Sequence, residues 1–488
     1  MSGFRLLDLV KFLLPVLPEI ESPYEAVTFD EKIVITISTG IIFLFGQLPI
    51  YGLKPNSSLF IEDPFYQFRS IFAMEKGTLL ELGLLPVITS GFLWQILAGF
   101  KKIKVHLGVR SERELFQTGQ KITSLVISLI YCLGLIFSNY YGSSVKGLNV
   151  GETISIGSAL FISYQVLGMS FFLTLLVETF DKGYGFGSGI LCLLTLQYAT
   201  NFVKDVVGLE LIPLANSNKL ENHGALTNLI RNFSFNPKEL GKSVLNSFTR
   251  SELPNLNQFY ISLIVILVAI GINNFRIELP IRSTKMRGMN NIYPIKLLYT
   301  GALPLLFAFT VLANIQVVGY FLVKLTGNAI LGDYKLVNNQ LVLSNGVLYY
   351  LSLPSSIYQL LINPLRTVIS SSLVIFLSCW FANYWSYFSG SSAVDIAKQF
   401  KEQGITIGGK RDASIVKELG RIIPVASVSG AFLITSLALV GEFLGGFGKA
   451  VTGVVGICSA FGIMEEFIME SQQNGGNSQL MSSLANYQ

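Results

Sequence analysis

Few side chains in this 488-residue sequence could do covalent chemistry, and their placement argues against it. The two histidines, His106 and His223, fall in loops far apart in sequence, so no paired imidazole offers acid–base work. Cys132, Cys192, Cys379 and Cys458 all lie inside apolar segments. A thiol there behaves as a small hydrophobe, and neither a disulfide frame nor a metal site is expected. CxxC, HExxH, GxSxG and P-loop patterns are absent. An ion-coupled pump would need charge deep in the membrane, yet Glu81, Glu178, Glu442, Glu465 and Glu466 all sit near the ends of apolar runs. The spans instead carry hydroxyls and amides such as Thr89, Ser90 and Asn314. Those groups suit hydrogen bonding between helices rather than bond cleavage.

The elements that hold them are membrane spans. Half of the residues are hydrophobic (51%), only 13% are charged, and mean hydropathy is +0.55. A soluble domain carries about 25% charge, so the chain is a polytopic membrane protein. At about 20 apolar residues per span, ten helices are expected, with cores at 32–51, 78–99, 117–138, 156–177, 186–207, 258–275, 297–323, 364–385, 422–441 and 450–469. Residues 1–11 alternate Phe4, Leu6, Leu7, Leu9 and Val10 with Arg5, Asp8 and Lys11, which predicts an amphipathic helix on the membrane surface.

The stretch 63–99 organises the rest. Its first part, opened by Asp63-Pro64, is short, amphipathic and too charged to span. Its second is an apolar run interrupted by Gly83, Pro86, Thr89, Ser90 and Gly91. Broken helices persist in membranes only where protein or a water-filled cavity surrounds them, so this pair suits a wall that bends or parts.

An even number of spans puts both termini on one side. Lys and Arg number six in 101–121, five in 276–296 and six in 398–421, against one each in 138–155 and 442–450. The positive-inside rule therefore makes both termini cytosolic. Asn56 and Asn232, in Asn-x-Ser triplets, fall on the opposite side, where loops 208–256 and 326–363 are polar and suggest no chemistry. The cytosolic loops are more pointed. Loop 276–296 sets Arg282, Lys285 and Arg287 near a Gly288 turn. Loop 389–424 reads as two helical arms, the first opened by a Ser392/Asp395 capping box, around a Gly408-Gly409 tip carrying Lys410 and Arg411. Such tips can meet anionic lipid head groups or the phosphates of RNA. Up to this point the residues support a channel-like or transporter-like protein with a basic cytosolic face.

Six strings narrow this further: DPFYQFR, GTLLELGLLPVITSG, DKGYGFGSGI, ELPIRSTKMRGMNNIYPIKLLYT, SGSSAVDIAKQFKEQGI and GKRDASIVKEL. In that order they resemble the motifs of the SecY family, and more closely the eukaryotic Sec translocon alpha subunit, through nearly all of 1–475. The opening MSGFRLLDLVKFLLPVLPEIESPYE and the form VETFDKGYGF resemble the second fungal translocon paralogue more than the main alpha subunit.

The resemblance implies an all-α membrane protein whose ten transmembrane helices form two pseudo-symmetric five-helix halves around an hourglass pore with a plug helix. Residues 1–31 would be a cytosolic N-terminus, 32–207 the first half, 208–256 a lumenal loop, 257–470 the second half and 471–488 a cytosolic tail. The plug would run from Asp63 to Met74 and include Pro64, Phe65, Tyr66, Phe68 and Ile71. The constriction ring would be Leu84, Ile88, Ile190, Leu194 and Leu306, with a last member near Val455. Aliphatic rings of this kind close by dewetting and deform around a passing chain. The lateral gate would hold Thr89 and Asn314, with Tyr131 where many relatives carry Gln. Lys285, Arg287, Lys410 and Arg411 would dock the ribosome.

On this resemblance the chain is expected to be the pore-forming subunit of the protein-conducting channel of the endoplasmic reticulum membrane. It would pass secretory chains during translation and release transmembrane segments sideways. Its implied partners are the translating ribosome, small single-span beta and gamma subunits, nascent polypeptide with its signal sequence, membrane lipid and the signal-recognition-particle receptor. Neither an enzyme activity nor a cofactor is expected. A secondary transporter is the rival reading, favoured by broken helices and disfavoured by the missing midplane charge.

Overall fold

In hydrocarbon a chain must satisfy its own backbone groups, so each of the ten apolar runs winds into a helix in the computed structural model. The first half contains α1 (Phe29–Leu44), a four-residue helix α2 (Tyr66–Arg69), α3 (Leu85–Gly99), α4 (Arg110–Phe137), α5 (Ile156–Asp181) and α6 (Gly189–Val207). Strands β1 (Leu211–Pro213) and β2 (Leu220–Asn222) and helices α7 (Ala225–Arg231) and α8 (Pro237–Thr249) fill the next loop. Then come α9 (Leu256–Asn274), β3 (Arg276–Ser283), β4 (Asn290–Lys296), α10 (Leu303–Thr326), β5 (Asp333–Val337), β6 (Gln340–Asn345), α11 (Val347–Leu351) and α12 (Ile357–Ile362). The chain ends with α13 (Pro364–Phe388), α14 (Ala393–Gln403), β7 (Ile405–Ile407), α15 (Asp412–Gly441) and α16 (Lys449–Gln473). The structure describes residues 10–473 apart from 12–14, 16, 26, 54–62, 101, 104–108, 142–154, 214–219, 233–236, 251–252, 284–289, 338–339, 355–356, 390–391, 404, 408–411 and 447.

Among the described residues, eight helices are long and apolar enough to cross a membrane; α1 and α3, at 16 and 15 residues, are shorter. Thr28 and Glu31 form a capping box at the start of α1. The second span departs most from expectation, because residues 78–84 are not helical. Gly83 adopts φ +51°, and a Cβ there would lie 2.4 Å from the Phe72 carbonyl oxygen. A left-handed residue in so tight a space ends any helix that tries to pass through it. The helix starts instead just beyond, with Pro86 in its first turn. Fifteen residues rise only about 22 Å against about 30 Å of hydrocarbon. The folded segment 70–84 fills the difference: Leu84 N–H donates to Phe72 O (2.9 Å) and Leu80 N–H to Gly46 O (3.1 Å).

Among the described residues the strands lie between the spans, in three small antiparallel sheets. Ile277, Leu279 and Ile281 alternate with Arg276, Glu278 and Arg282, a period-two pattern, and β3 pairs with β4 along its length. Beyond Pro280, where proline would cost a ladder bond, β3 gains a second partner through Ile281↔Ile407. Loops 276–296 and 389–424 thus share one sheet, ordered β4-β3-β7. Loop 389–424 has its two arms, and Ser392 and Asp395 do cap the first: Asp395 N–H donates to Ser392 Oγ (3.4 Å) and Ser392 N–H to Asp395 Oδ2 (3.3 Å). The second arm does not stop at the membrane. It runs unbroken through Pro424 as α15, 30 residues long.

One apolar cluster occupies the centre of the bundle, drawing on both halves and on the 65–74 segment. Of the N-terminal stretch, Val10 is buried against Trp94, Ile103 and Phe116, so this part of the amphipathic run faces protein rather than lipid; residues 1–9 lie outside the described ones.

Candidate functional site: a sealed constriction, its plug segment and a polar seam

Leu84 precedes the first turn of α3, Ile88 lies on α3, Ile190 and Leu194 on α6, and Leu306 on α10. Leu84, Ile88, Leu194 and Leu306 belong to the buried central cluster with Val455 of α16, and the partly buried Ile190 packs against it. Leu84 is 0% exposed, Leu306 1%, and Ile88, Leu194 and Val455 2% each. Aliphatic side chains thus fill the centre of the bundle, and they give an ion nothing to replace its hydration shell.

Asp63, Pro64, Phe65, Tyr66, Phe68 and Ile71 all fall on the segment between α1 and α3, where α2 is the helix among the described residues. Phe65, Phe68 and Ile71 are buried in the central cluster. Phe65 sets its ring edge-on to Tyr320 of α10 (5.2 Å). The Arg69 guanidinium pairs with Asp63 through Nε and Nη2, and its Nη2 also donates to Glu81 Oε1 and Tyr140 OH (both 2.8 Å). Glu81 in turn accepts from Gly77 N–H (2.6 Å). Two buried carboxylates therefore depend on one buried cation, an arrangement that tolerates the loss of no member.

A second polar group crosses between the halves. Asn314 on α10 donates through Nδ2 to Thr89 Oγ1 on α3 (3.0 Å) and to Thr310 O (2.8 Å). Its carbonyl accepts from Tyr131 OH on α4. Thr89 spends its own proton on Leu85 O (2.7 Å). Every polar atom of the amide has a partner, as an apolar setting demands. Aromatic contacts extend the seam: Phe92 of α3 meets Phe307 of α10 (5.3 Å) and Phe381 of α13 (5.2 Å) edge-on. The structure thus brings together Thr89, Tyr131 and Asn314.

Lys285, Arg287, Lys410 and Arg411 lie outside the described residues. Their supports are described. Leu279, Ile295, Ile396, Phe400, Ile415 and Leu419 form a small core under the shared sheet. Tyr293 packs edge-on against Phe400 (5.0 Å), and burial raises its phenol pKa.

Sequence reasoning missed Arg69 and its pairing with Glu81. The signal was present, since a lone arginine among Phe65, Tyr66, Phe68, Ile71 and Phe72 in a buried segment needs a counter-charge. No acid clusters suitable for a metal occur among the described residues.

A helical bundle shut at its centre, with a segment tucked beneath the closure and a parting seam between two halves, defines a gated membrane channel. Residues 78–465 match the SecY family, and residues 41–77 match the plug domain of Sec61p. The chain belongs to the SecY family. It is 41% identical to the Sec sixty-one protein homolog of Saccharomyces cerevisiae, covering 98% of both chains. It is 32% identical to the protein transport protein SEC61 subunit alpha of Yarrowia lipolytica, over 95% of this chain and 98% of that one. Among solved structures it is similar to the idle yeast Ssh1 complex bound to the yeast 80S ribosome (TM-score 0.76, 40% identity, 98% of both chains). Sec61 in the canine ribosome-channel complex from the endoplasmic reticulum shares the fold (TM-score 0.71, 23% identity, 96% and 97% covered).

Proposed function

We propose that this chain is the pore-forming alpha-type subunit of a protein-conducting channel in the endoplasmic reticulum membrane, with both termini cytosolic. The observation that carries the reading is the central aliphatic cluster into which residues 65–74 pack, in a chain that matches a Sec61-type relative over 98% of its length. Leu84, Ile88, Ile190, Leu194 and Leu306 form the ring, and Asp63 to Met74 the plug. Thr89, Tyr131 and Asn314 hold the lateral gate closed. A ribosome docks on the tips bearing Lys285, Arg287, Lys410 and Arg411, a reading supported by the ribosome-bound state of the similar yeast complex. Small beta- and gamma-type subunits and the signal-recognition-particle receptor complete the set of partners.

The work is mechanical. A hydrophobic signal enters the seam and replaces the contacts of Asn314 with its own apolar surface, whereupon the plug segment shifts. Hydrophilic chain passes the ring, and apolar segments leave into lipid, where burial favours them. The energy comes from elongation, and the channel itself catalyses nothing.

The test is a photocrosslink. A photoreactive residue at Leu306, in microsomes given ribosomes that carry a truncated secretory chain, is expected to capture that chain only when its signal sequence is intact. Absence of any crosslink from Leu306, Ile190 and Leu84 would reduce the ring to ordinary packing and overturn the channel reading.

A further inference from the structure

The plug segment has a second attachment that the pore and gate do not account for. Between α15 and α16 the chain turns through Glu442–Gly446, with Gly445 at φ +105° and Gly448 at φ +81°. The Glu442 carboxylate folds back over this turn and accepts from Gly448 N–H (2.6 Å) and Val451 N–H (3.1 Å), capping α16. Gly448 lies so close to the plug segment that a Cβ on it would stand 2.3 Å from Gln67 O and 2.7 Å from Ser70 Oγ. One turn on, Thr452 Oγ1, whose own proton goes to Gly448 O (2.6 Å), lies 3.2 Å from Ser70 Oγ, placed to accept from it. The turn is therefore a seat for residues 67–70, and it belongs to the second half of the molecule.

What fixes the seat comes from elsewhere. Lys449, next to Gly448, pairs with Asp205 Oδ2 at the end of α6 (2.7 Å), which belongs to the first half. The other oxygen of Asp205 faces His223 Nε2 (3.4 Å) in loop 208–256. His223 is itself tied down, since Arg250 donates to His223 O (2.8 Å), Asn222 O (3.0 Å) and Pro254 O (2.5 Å). A continuous path thus runs from the corner before α9 through Arg250, His223, Asp205 and Lys449 to the plug segment.

We propose that Asp205 is a latch: by pairing with both Lys449 and His223, it lets loop 208–256 hold the plug seat in place and so sets how readily the plug leaves. Glu442 braces the turn only against its own second half, so the pair with Asp205 is what ties the seat to the first half. Loosening the loop then loosens the plug, and whatever engages that loop on the lumenal side acts on the channel. This rests on reading 63–74 as the plug.

The test places cysteines at Ser70 and Thr452 and measures disulfide formation in idle channels in membranes, as the loss of two maleimide-polymer mass shifts. The four native cysteines serve as the unchanged background. Rapid formation is expected in the parent pair, with Asp205→Asn lowering the yield about fivefold and His223→Ala lowering it in the same direction. The exchange Asp205→Lys with Lys449→Asp restores the pair between these two positions but not the one to His223, so it is expected to recover part of the loss from Asp205→Asn, which a merely misfolded variant would not do. An unchanged yield in Asp205→Asn or in His223→Ala, or an exchange as poor as Asp205→Asn, overturns the latch. If the parent pair forms no disulfide at all, the plug assignment fails instead.

Discussion

Tyr131 donates its phenolic hydroxyl to the side-chain carbonyl of Asn314, reaching from α4 in one half of the molecule to α10 in the other. The residue that resemblance flagged as a departure from the usual glutamine therefore replaces the missing amide as a hydrogen-bond donor. It also adds a ring that lies 6.4 Å from Phe321. The closed seam here rests on one amide satisfied from two neighbouring helices.

Tyr131→Phe keeps the ring and removes the donor. Asn314 Oδ1 is then left with Thr89 Oγ1 at 3.4 Å, a hydroxyl already committed to Leu85. The closed state should lose about 1–2 kcal/mol. Secretion reporters carrying a graded series of signal sequences should accept less hydrophobic signals than in the parent, and an unshifted threshold would count against the gate.

Asn314→Leu removes the hub. Tyr131 OH loses its acceptor and Thr89 its donor, so this variant and Tyr131→Phe share a cause and should not add. In the double variant the threshold should move by less than the sum, with a coupling of about 0.5–3 kcal/mol.

Arg69→Met leaves Asp63 and Glu81 buried without their cation. Breaking a buried pair in this way costs about 3–5 kcal/mol. Thermal unfolding of the purified protein in detergent should move to lower temperature, and adding Glu81→Gln should recover part of the loss. A double variant no better than Arg69→Met would argue that the two residues act independently.

Gly83→Ala asks an alanine to adopt φ +51° with its Cβ 2.4 Å from a carbonyl oxygen. Strained backbone alone costs about 1–3 kcal/mol, and the clash adds to it. Lower steady-state abundance and a lower melting temperature are expected, whereas Gly52→Ala, at φ +98° but in open space, should show the smaller, purely conformational penalty.

Reversing Lys410 and Arg411 to Glu should weaken ribosome binding without disturbing the bundle. Co-sedimentation with ribosomes across a salt series should give a lower affinity and a shallower salt dependence, because fewer phosphate contacts release fewer counterions. An unaltered salt slope would assign these tips to lipid head groups instead.

How much of this was legible depends on the period of the signal. The spans were readable because each is a long apolar run: α13 starts where its core is expected, and α10 starts six residues into its own. The second span was misjudged because Leu79, Leu80, Leu82, Leu84 and Leu85 look continuous with α3 in hydropathy, whereas the backbone sign at Gly83 leaves no mark on composition. The strand character of 276–296 was present in the alternation of Ile277, Leu279 and Ile281, yet its pairing with Ile407 depends on a loop more than a hundred residues later. Thr89 and Asn314 stood out because polar groups in apolar runs need partners. Arg69 with Glu81 and Asp205 with Lys449 did not stand out, since ion pairs formed across irregular segments follow no period that a sequence displays.

The shared sheet β4-β3-β7 has a further consequence. All three strands are drawn from connections within the second half, and that half also contributes α15, whose 30 residues join loop 389–424 to the membrane without a break. A large body gripping this platform therefore holds one jaw of the vice and leaves the other unburdened. A seam that opened under such a load would have the gripped half as its stator and the first half as its moving part.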